Sequence, residues 1–534
     1  MSEDSLVDHI HVPSNNNVNM NMAKPLGGSF AQQTSPLAAA IPLEVLLQIS
    51  KHLTTPELGN LRLTCKQIED QLLNSFSKEF FQKRQFMFTE FSLQALVDIA
   101  KSRFSPTLKN VIFGLEQPAS IPPRALHGPT VVNSSSGLKR ENDLMTDYLN
   151  HAAFLSTGQD VEMLAQAFSS LPQLKTVGLR DFNSRSRYRD APDIVWNSYG
   201  VTTYYKQTGI RMQIPYTHRN VNDLGASDTG IFVHRAFQNI LRAAGKSTLS
   251  LKHFEVILRT SFLGDRAFNC PKFLEPTIYP VLSNLRTLFL DLDDNPVLMH
   301  IEGNGIVKPC PSYFLMKFLS NAMMLEHLRL NIRPNGDESI LSWLSRSPPD
   351  ISTPATASGE YKEPPPVTFK HLKRIDIGMG AVEPALILGI VRKHQASLRE
   401  ISLHRISLVH TADVPADERI NLWAKLFDDL SQLDLKLDAI NMSLNSQQQP
   451  GGQHWRRVKF KNIPAPKEHT KRWAGNNTQS GLRDFQELVT VPGLDHDTDD
   501  ESDDGIMVEN SDDSMDDPDH EDNEDEDEDM HDDE

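Results

Sequence analysis

The sequence predicts an α/β fold: a small all-helical domain near the N-terminus, then a long irregular solenoid of helix–strand units, with low-complexity segments at both ends. Three observations carry this. A strand pattern of the form L-x-x-[LVIF]-x-[LVIF] recurs eight times between residues 108 and 435. Five of its occurrences follow directly on an amphipathic helical pattern. By contrast "IPLEVLLQISKHLTTPELGNLRLTCKQIED", residues 41–70, reads as two short helices and the start of a third with no strand among them.

Taken in order, residues 1–38 are rich in Asn, Ser and Gln, a composition that cannot bury enough apolar surface to order itself. Residues 39–90 hold the helical domain. Pro42 suits the first turn of a helix, where a missing N–H costs little. Thr55-Pro56-Glu57 predicts the next N-cap, and Ile68, Leu72, Leu73 and Phe76 the apolar stripe of a third helix. "FSLQALVDIAKSRFSP" (91–106) predicts a further helix running into the strand "LKNVIFGLE".

The eight strand motifs are Leu108-Val111-Phe113, Leu174-Val177-Leu179, Leu251-Phe254-Val256, Leu285-Leu288-Leu290, Leu325-Leu328-Leu330, Leu372-Ile375-Ile377, Leu398-Ile401-Leu403 and Leu430-Leu433-Leu435. Helices are predicted over 160–172, 232–245, 312–323, 384–395 and 420–430. The first Leu of each motif would pack under a helix and the next two would point inward. Each unit then leaves an apolar face that only its neighbour covers, which is the physics of a leucine-rich repeat. The motifs lie 26 to 77 residues apart, so the repeat-like domain, 91–475, carries insertions, or else these are strands of an ordinary α/β domain. Two insertions stand out. Residues 181–230 are polar and contain one of five Trp and five of nine Tyr, and 346–367 are rich in Pro, Ser and Thr. A disordered linker and acidic tail are expected over 476–534.

Charge separates the ends of the chain. The net charge is −18, yet residues 495–534 hold 24 Asp and Glu and no Lys or Arg, so the first 494 residues are mildly basic at about +6. Thr498 and Ser514 each have an acidic residue three positions on, which suits an acidophilic kinase. The basic segment 454–473 lies about 20 residues before the tail, within reach of it. It reads as a last strand with a solvated face, or as a docking site for the tail. Nucleic acid is not the expected partner, because the tail would compete for the same cations.

The chemistry of catalysis is not expected. No Gly-rich phosphate loop, HExxH, GxSxG or kinase signature occurs. Cys65, Cys270 and Cys310 have no metal-ligand spacing, and Cys65 reads as a packing residue. No cofactor, metal or catalytic residue is therefore assigned. Neither a signal peptide nor an 18-residue apolar run is present, so a cytoplasmic and/or nuclear location without membrane contact is expected.

One feature of 41–70 points to a partner. On a helical wheel the apolar residues Leu43, Val45, Leu46, Leu47, Ile49 and Leu53 cover roughly 200°, twice the ~100° that a helix needs to meet one core. A surplus apolar face on a soluble domain marks a binding site. The same stretch resembles an F-box, matching that pattern at Pro42, Glu44, Val45, Leu46, Ile49, Leu53, Leu58, Leu61, Cys65 and Lys66, with Ile41 where Leu is usual and Ile68 where many members carry Trp. The following residues are similar in style to filamentous-fungal F-box proteins. The resemblance implies a non-catalytic substrate receptor of an SCF-type ubiquitin ligase, docked on a Skp-type adaptor and through it on a cullin, with a protein substrate held by the repeats. Expected adaptor contacts are Pro42, Leu43, Leu46, Ile49, Leu53, Leu58 and Leu61. Expected substrate anchors are Trp196, Tyr199, Tyr204 and Tyr205 in the 181–230 insertion, since aromatic residues dominate binding hot spots. The competing expectation is a non-ligase repeat scaffold, in the nucleus, whose acidic tail holds basic proteins.

Overall fold

Helical spacing of the apolar residues near the N-terminus becomes three helices, α1 (Leu43–Lys51), α2 (Thr55–Leu63) and α3 (Lys66–Phe81). The computed structural model describes residues 41–118, 135–183, 196–212, 214, 228–247, 249–293, 298–301, 307–333, 339–348, 363–410, 420–449 and 454–492. These divide into two units: one holds residues 41–81 with Trp196, and the other holds the remainder.

In the smaller unit the turn between α1 and α2 is set by Thr54, one residue earlier than the sequence suggested. Its backbone N–H donates to the Glu57 carboxylate at 2.8 Å, so the side chain three residues on satisfies a donor at the helix start. The core of this unit is Leu46, Leu58, Ile68, Leu72 and Phe80, with Leu47, Leu53, Leu61, Cys65, Phe76 and Trp196 half-buried against it. The Arg62 guanidinium lies 3.4 Å from the Phe76 ring centroid and Phe76 stacks on Phe80 at 4.6 Å, which closes the α2–α3 side.

The larger unit is built on a ladder of β1 (Lys83–Met87), β2 (Asn110–Gly114), β3 (Thr176–Arg180), β4 (His253–Ile257), β5 (Thr287–Asp293), β6 (His327–Ile332), β7 (Arg374–Gly378), β8 (Glu400–His404), β9 (Ala439–Ser443) and β10 (Thr470–Ala474). The order in the sheet is the order in the chain. β1 to β9 run parallel, each pairing the next, and β10 closes the edge antiparallel to β9. The helices that follow or precede these strands are α4 (Glu90–Ala100), α5 (Ser135–Ser156), α6 (Gln159–Ser169), α7 (Val201–Thr208), α8 (Asp228–Lys246), α9 (Glu275–Asn284), α10 (Tyr313–Ser320), α11 (Ser339–Ser345), α12 (Pro384–His394), α13 (Leu422–Ser431) and α14 (Thr478–Leu488).

Register follows the sequence motif. Val111 pairs Val177, Val177 pairs Phe254, Phe254 pairs Leu288, Leu288 pairs Leu328, and the row continues through Ile375, Ile401 and Ile440. A parallel row runs Phe113, Leu179, Val256 and onward through Leu290, Leu330, Ile377, Leu403 and Met442. All of these side chains are buried, as are the leading Leu108, Leu174, Leu251, Leu285, Leu325, Leu372 and Leu398. Strand residues alternate faces, so these rows share one face and pack under the helices. The eighth motif is displaced. The strand is not Leu430-Leu433-Leu435 but Leu437-Ile440-Met442, because Leu430 is spent in the last turn of α13.

A second repeat runs alongside. Ala381–Val382, Ser407–Leu408 and Ser446–Gln448 form a short parallel sheet, again closed by an antiparallel strand, Trp455–Arg457. The residue following each of β7, β8 and β9, namely Met379, Arg405 and Leu444, has a positive φ of 66°, 51° and 53°. Three non-glycine residues in the left-handed region at equivalent positions mark one turn, repeated, that carries the chain from the large sheet to the small one.

Several boundaries differ from expectation. β1, expected within the 39–90 helical domain, belongs to the larger unit. Residues 476–492, expected as linker, include α14, whose Leu482 and Phe485 are fully buried. Its mixed composition hides an amphipathic face covered by the adjacent α13, through the stacked Phe427–Phe485 pair at 5.0 Å, and by Phe460, whose ring stands edge-on to Phe485 at 5.8 Å. The 346–367 insertion ends against the core: the buried Trp343 donates its Nε1–H to the Pro364 carbonyl at 2.8 Å, and Val367 is half-buried on the core. The 1–38 segment and the acidic tail, with Thr498 and Ser514, lie outside the described residues.

Two outcomes follow from this packing. A Cβ on Gly245 of α8 would stand 2.2 Å from the Thr277 carbonyl oxygen of α9. Ala in a helix gains about 0.5–1 kcal/mol over Gly, but overpacking costs about 1–3 kcal/mol. Gly245→Ala is therefore expected to lower the midpoint of chemical unfolding rather than raise it. The second concerns His394, at the end of α12 and 2 % exposed. Its Nδ1 lies 2.9 Å from the Ile390 carbonyl and its Nε2 accepts from the Phe369 N–H at 3.3 Å, an arrangement open only to the neutral ring. Burial first, then the neighbouring Lys393, pushes its pKa down to about 4. The unfolded chain, with a His pKa near ~6.5, binds this proton first, so stability is lost as pH falls from about 6.5 towards 4. Denaturant unfolding is expected to lose about 2 kcal/mol between pH 7 and pH 5 on account of this residue alone. His394→Gln should flatten that slope, whatever it does to stability at pH 7.

Candidate docking surfaces

Each unit presents its own surface. In the smaller one, α1 is too apolar for its core. Leu46 and Ser50 face inward. Leu43 remains 41 % exposed, Val45 48 % and Ile49 43 %, and Leu63 at the end of α2 is 84 % exposed. The surplus face expected from the wheel is thus real, but its membership differs from the sequence expectation. Pro42, Leu43 and Ile49 are exposed, whereas Leu46 and Leu58 are core residues at 2 % and 3 %, and Leu53 and Leu61 are half-buried. Leu46 and Leu58 cannot offer their side chains to a partner while this unit is folded. Val45 and Leu63 were missed. Val45 was inside the apolar arc, so the signal was present; nothing local told which flank of the arc would turn inward.

In the larger unit the strand residues that alternate with the buried rows form a polar stripe on the other sheet face. His253 Nδ1 meets Thr287 Oγ1 at 2.9 Å, and the Phe289 ring stands edge-on to His327 at 4.7 Å. His327 Nε2 meets Asp376 at 2.8 Å, Arg374 Nε meets the same carboxylate at 3.0 Å, and Arg374 also approaches Glu400 at 3.5 Å. Burial alone would raise the Asp376 pKa. The His327 hydrogen bond and charge, with Arg374, outweigh it and hold the carboxyl below its ordinary value. The stripe is a set of charges fixed across three neighbouring strands, suited to hydrogen-bonded recognition and not arranged as a nucleophile with a base.

The four aromatic anchors expected in the 181–230 insertion are dispersed. Trp196 packs against Phe80 at 6.2 Å in the smaller unit. Tyr199 is half-buried in the larger unit, stacked on Phe91 at 6.0 Å, with its N–H donating to the Gln85 carbonyl of β1 at 2.9 Å. Both are packing residues, because each finds an apolar neighbour within its own unit. Tyr204 is half-buried beside a cleft, and Tyr205 alone of the four is exposed, at 48 %. Of the basic segment 454–473, the strand expectation holds: Trp455–Arg457 and β10 are edge strands, and Lys471 is engaged by Asp484 at 2.6 Å. Among the described residues no group of His, Cys, Asp and Glu is placed to hold a metal ion, and no helix is long and apolar enough to cross a membrane.

Comparison with known proteins bears on the smaller unit. The F-box domain model matches residues 40–77, which span α1, α2 and most of α3. No curated protein matches the chain. Among solved structures, a chain from the crystal structure of a Rad7 and Elc1 complex in yeast is similar at 12 % identity, over 75 % of this chain and 84 % of that one, with a TM-score of 0.22. That score carries no argument about the larger unit.

Proposed function

We propose that this chain is the substrate-recognition subunit of an SCF-type ubiquitin ligase, non-catalytic itself, whose F-box docks a Skp-type adaptor and through it a cullin. The single observation that supports it most is the coincidence of the F-box match at 40–77 with exposed Leu43, Val45, Ile49 and Leu63 in the same residues. Burying four such side chains yields at most about 6–12 kcal/mol, comparable with the ~4–15 kcal/mol cost of association, so the face is strong enough to dock one partner. The larger unit is read as leucine-rich-repeat-like, on the strength of its in-register motif rows. In this reading its polar stripe around His327, Arg374, Asp376 and Glu400 meets a protein substrate. The test is co-purification of the full chain with a Skp-type adaptor and a cullin, followed by ubiquitin transfer to a captured substrate. Adaptor binding without a cullin would exclude the ligase role.

A further inference from the structure

The larger unit holds a cleft of about 290 Å³ that neither docking surface uses. It is assembled from β1, α4, α5 and α7, segments separated by up to about 110 residues. Met87, Phe91, Phe154, Pro118 and Met212 give it apolar walls. Gly200 makes room, since its φ is +103° and a Cβ there would stand 3.0 Å from both Met87 and Phe91.

The polar lining is one-sided. Glu90 and Asp147 are its charged residues, and no Lys or Arg lines it among the described residues. Gln207 and Thr208, from the last turn of α7, add the partial negative charge of a helix C-terminus. His151, 9 % exposed, also lines the cleft, and its Nε2 has no hydrogen-bond partner. Burial, then Arg235, pushes the His151 pKa down to about 4, so the ring is neutral near pH 7 and can accept an N–H. Arg235 itself is not a lining residue. Tyr204 completes the wall with an aromatic face.

We propose that this cleft takes a basic side chain, arginine in preference to lysine, from a segment of partner protein. The apolar walls suit the aliphatic stem of such a side chain. Glu90 and Asp147 would pair its charge, the Tyr204 ring would stack on a planar guanidinium, and His151 would receive one of its five N–H donors. Arginine is preferred because lysine offers neither the plane nor the fork of donors. The inference rests on the receptor reading in one respect only, that the ligand is protein.

The experiment titrates the full chain with N-acetylated, C-amidated Gly-Gly-X-Gly-Gly peptides, X being Arg, Lys, norleucine or Glu, followed by saturation-transfer NMR. Saturable binding is expected for Arg, weaker binding for Lys, and at least ten-fold weaker binding for norleucine and Glu. Glu90→Gln with Asp147→Asn, both surface changes that should leave the fold intact, is expected to weaken the Arg peptide at least ten-fold. His151→Phe should also weaken it, with circular dichroism reporting the fold of each variant. Absence of saturation, equal binding of norleucine, or unchanged binding by the folded double variant would overturn the proposal. Adaptor capture is measured on the same samples. Peptide binding without adaptor capture would sink the ligase reading and leave this one standing; the converse would do the opposite.

Discussion

Val45→Asp combined with Ile49→Asp is expected to reduce adaptor capture by more than a hundred-fold while leaving the chain folded. Both side chains are more than 40 % exposed and lie one turn apart on α1, so a carboxylate at each remains hydrated in the free protein. In a complex each would be an unpaired charge on a desolvated apolar surface, a loss that association cannot offset. The contrasting variant is Leu58→Ala. Leu58 is 3 % exposed in a core that, among the described residues, has five buried apolar side chains, and deleting it costs about 2–5 kcal/mol, a large share of what so small a unit can hold. Leu58→Ala should therefore also lose adaptor binding, but together with helical signal and with protease resistance of residues 41–81. The two routes are separated by limited proteolysis. Capture retained by the folded Val45→Asp, Ile49→Asp variant would mean that the exposed face of α1 is not the docking surface.

The second large effect lies in the ladder of the larger unit. Asp181 follows β3 and is 3 % exposed. One carboxylate oxygen accepts from the Arg259 N–H at 2.7 Å, and the other accepts from the Thr260 N–H, the Thr260 hydroxyl and the Ser261 N–H, each at 2.7 Å. Those residues form the turn after β4, so one side chain holds the end of one repeat to the exit of the next. Asp181→Ala leaves three backbone donors without their acceptor. Each costs about 1–3 kcal/mol if it stays dry, and water entry relieves part of this, so a net loss of about 3–5 kcal/mol is expected. Asp181→Asn keeps one acceptor oxygen but replaces the other with a donor facing donors, and should fall between. Denaturant titration of the full chain, followed by near-ultraviolet circular dichroism, checks both. A shift below about 1 kcal/mol for Asp181→Ala would show that the turn finds other acceptors.

Related devices recur along the ladder. Asp291 accepts from the Leu258 N–H, Asp265 from the Leu315 N–H at 2.9 Å, and Asn445 both accepts from the Ile406 N–H and donates to the Leu403 carbonyl. The turns leaving β4 and β8, and the first turn of α10, have backbone N–H groups that no sheet or helix bond satisfies, and a buried polar side chain from a distant segment supplies what is missing. None of these residues has a sequence signature of its own. An isolated Asp or Asn reads as a turn or surface residue, and only the neighbour's position shows which donors it serves.

What the sequence determined by itself is the local pattern and its repetition. The L-x-x-L-x-L rows are legible because a buried parallel strand needs apolar residues at alternate positions, and seven of the eight motifs stand in register as written. The F-box helices are legible for the same reason, through their 3.6-residue spacing and the Thr-Pro-Glu helix start, though the cap itself is Thr54 and not Thr55. The tertiary structure decided the rest. It placed Leu46 in the core and Val45 outside, because a ~200° apolar arc admits more than one inward direction and only the packing of α3 selects one. It chose Leu437 over Leu430 at the eighth motif, because α13 claims Leu430 for its own last turn. It ordered α14, whose buried face has meaning only against α13 and Phe460, both distant in sequence from its own pattern. It also brought Glu90, Asp147, His151 and Tyr204 to one cleft from three distant segments. Each of these depends on contacts between residues far apart in the chain, and spacing along a sequence holds no record of such contacts.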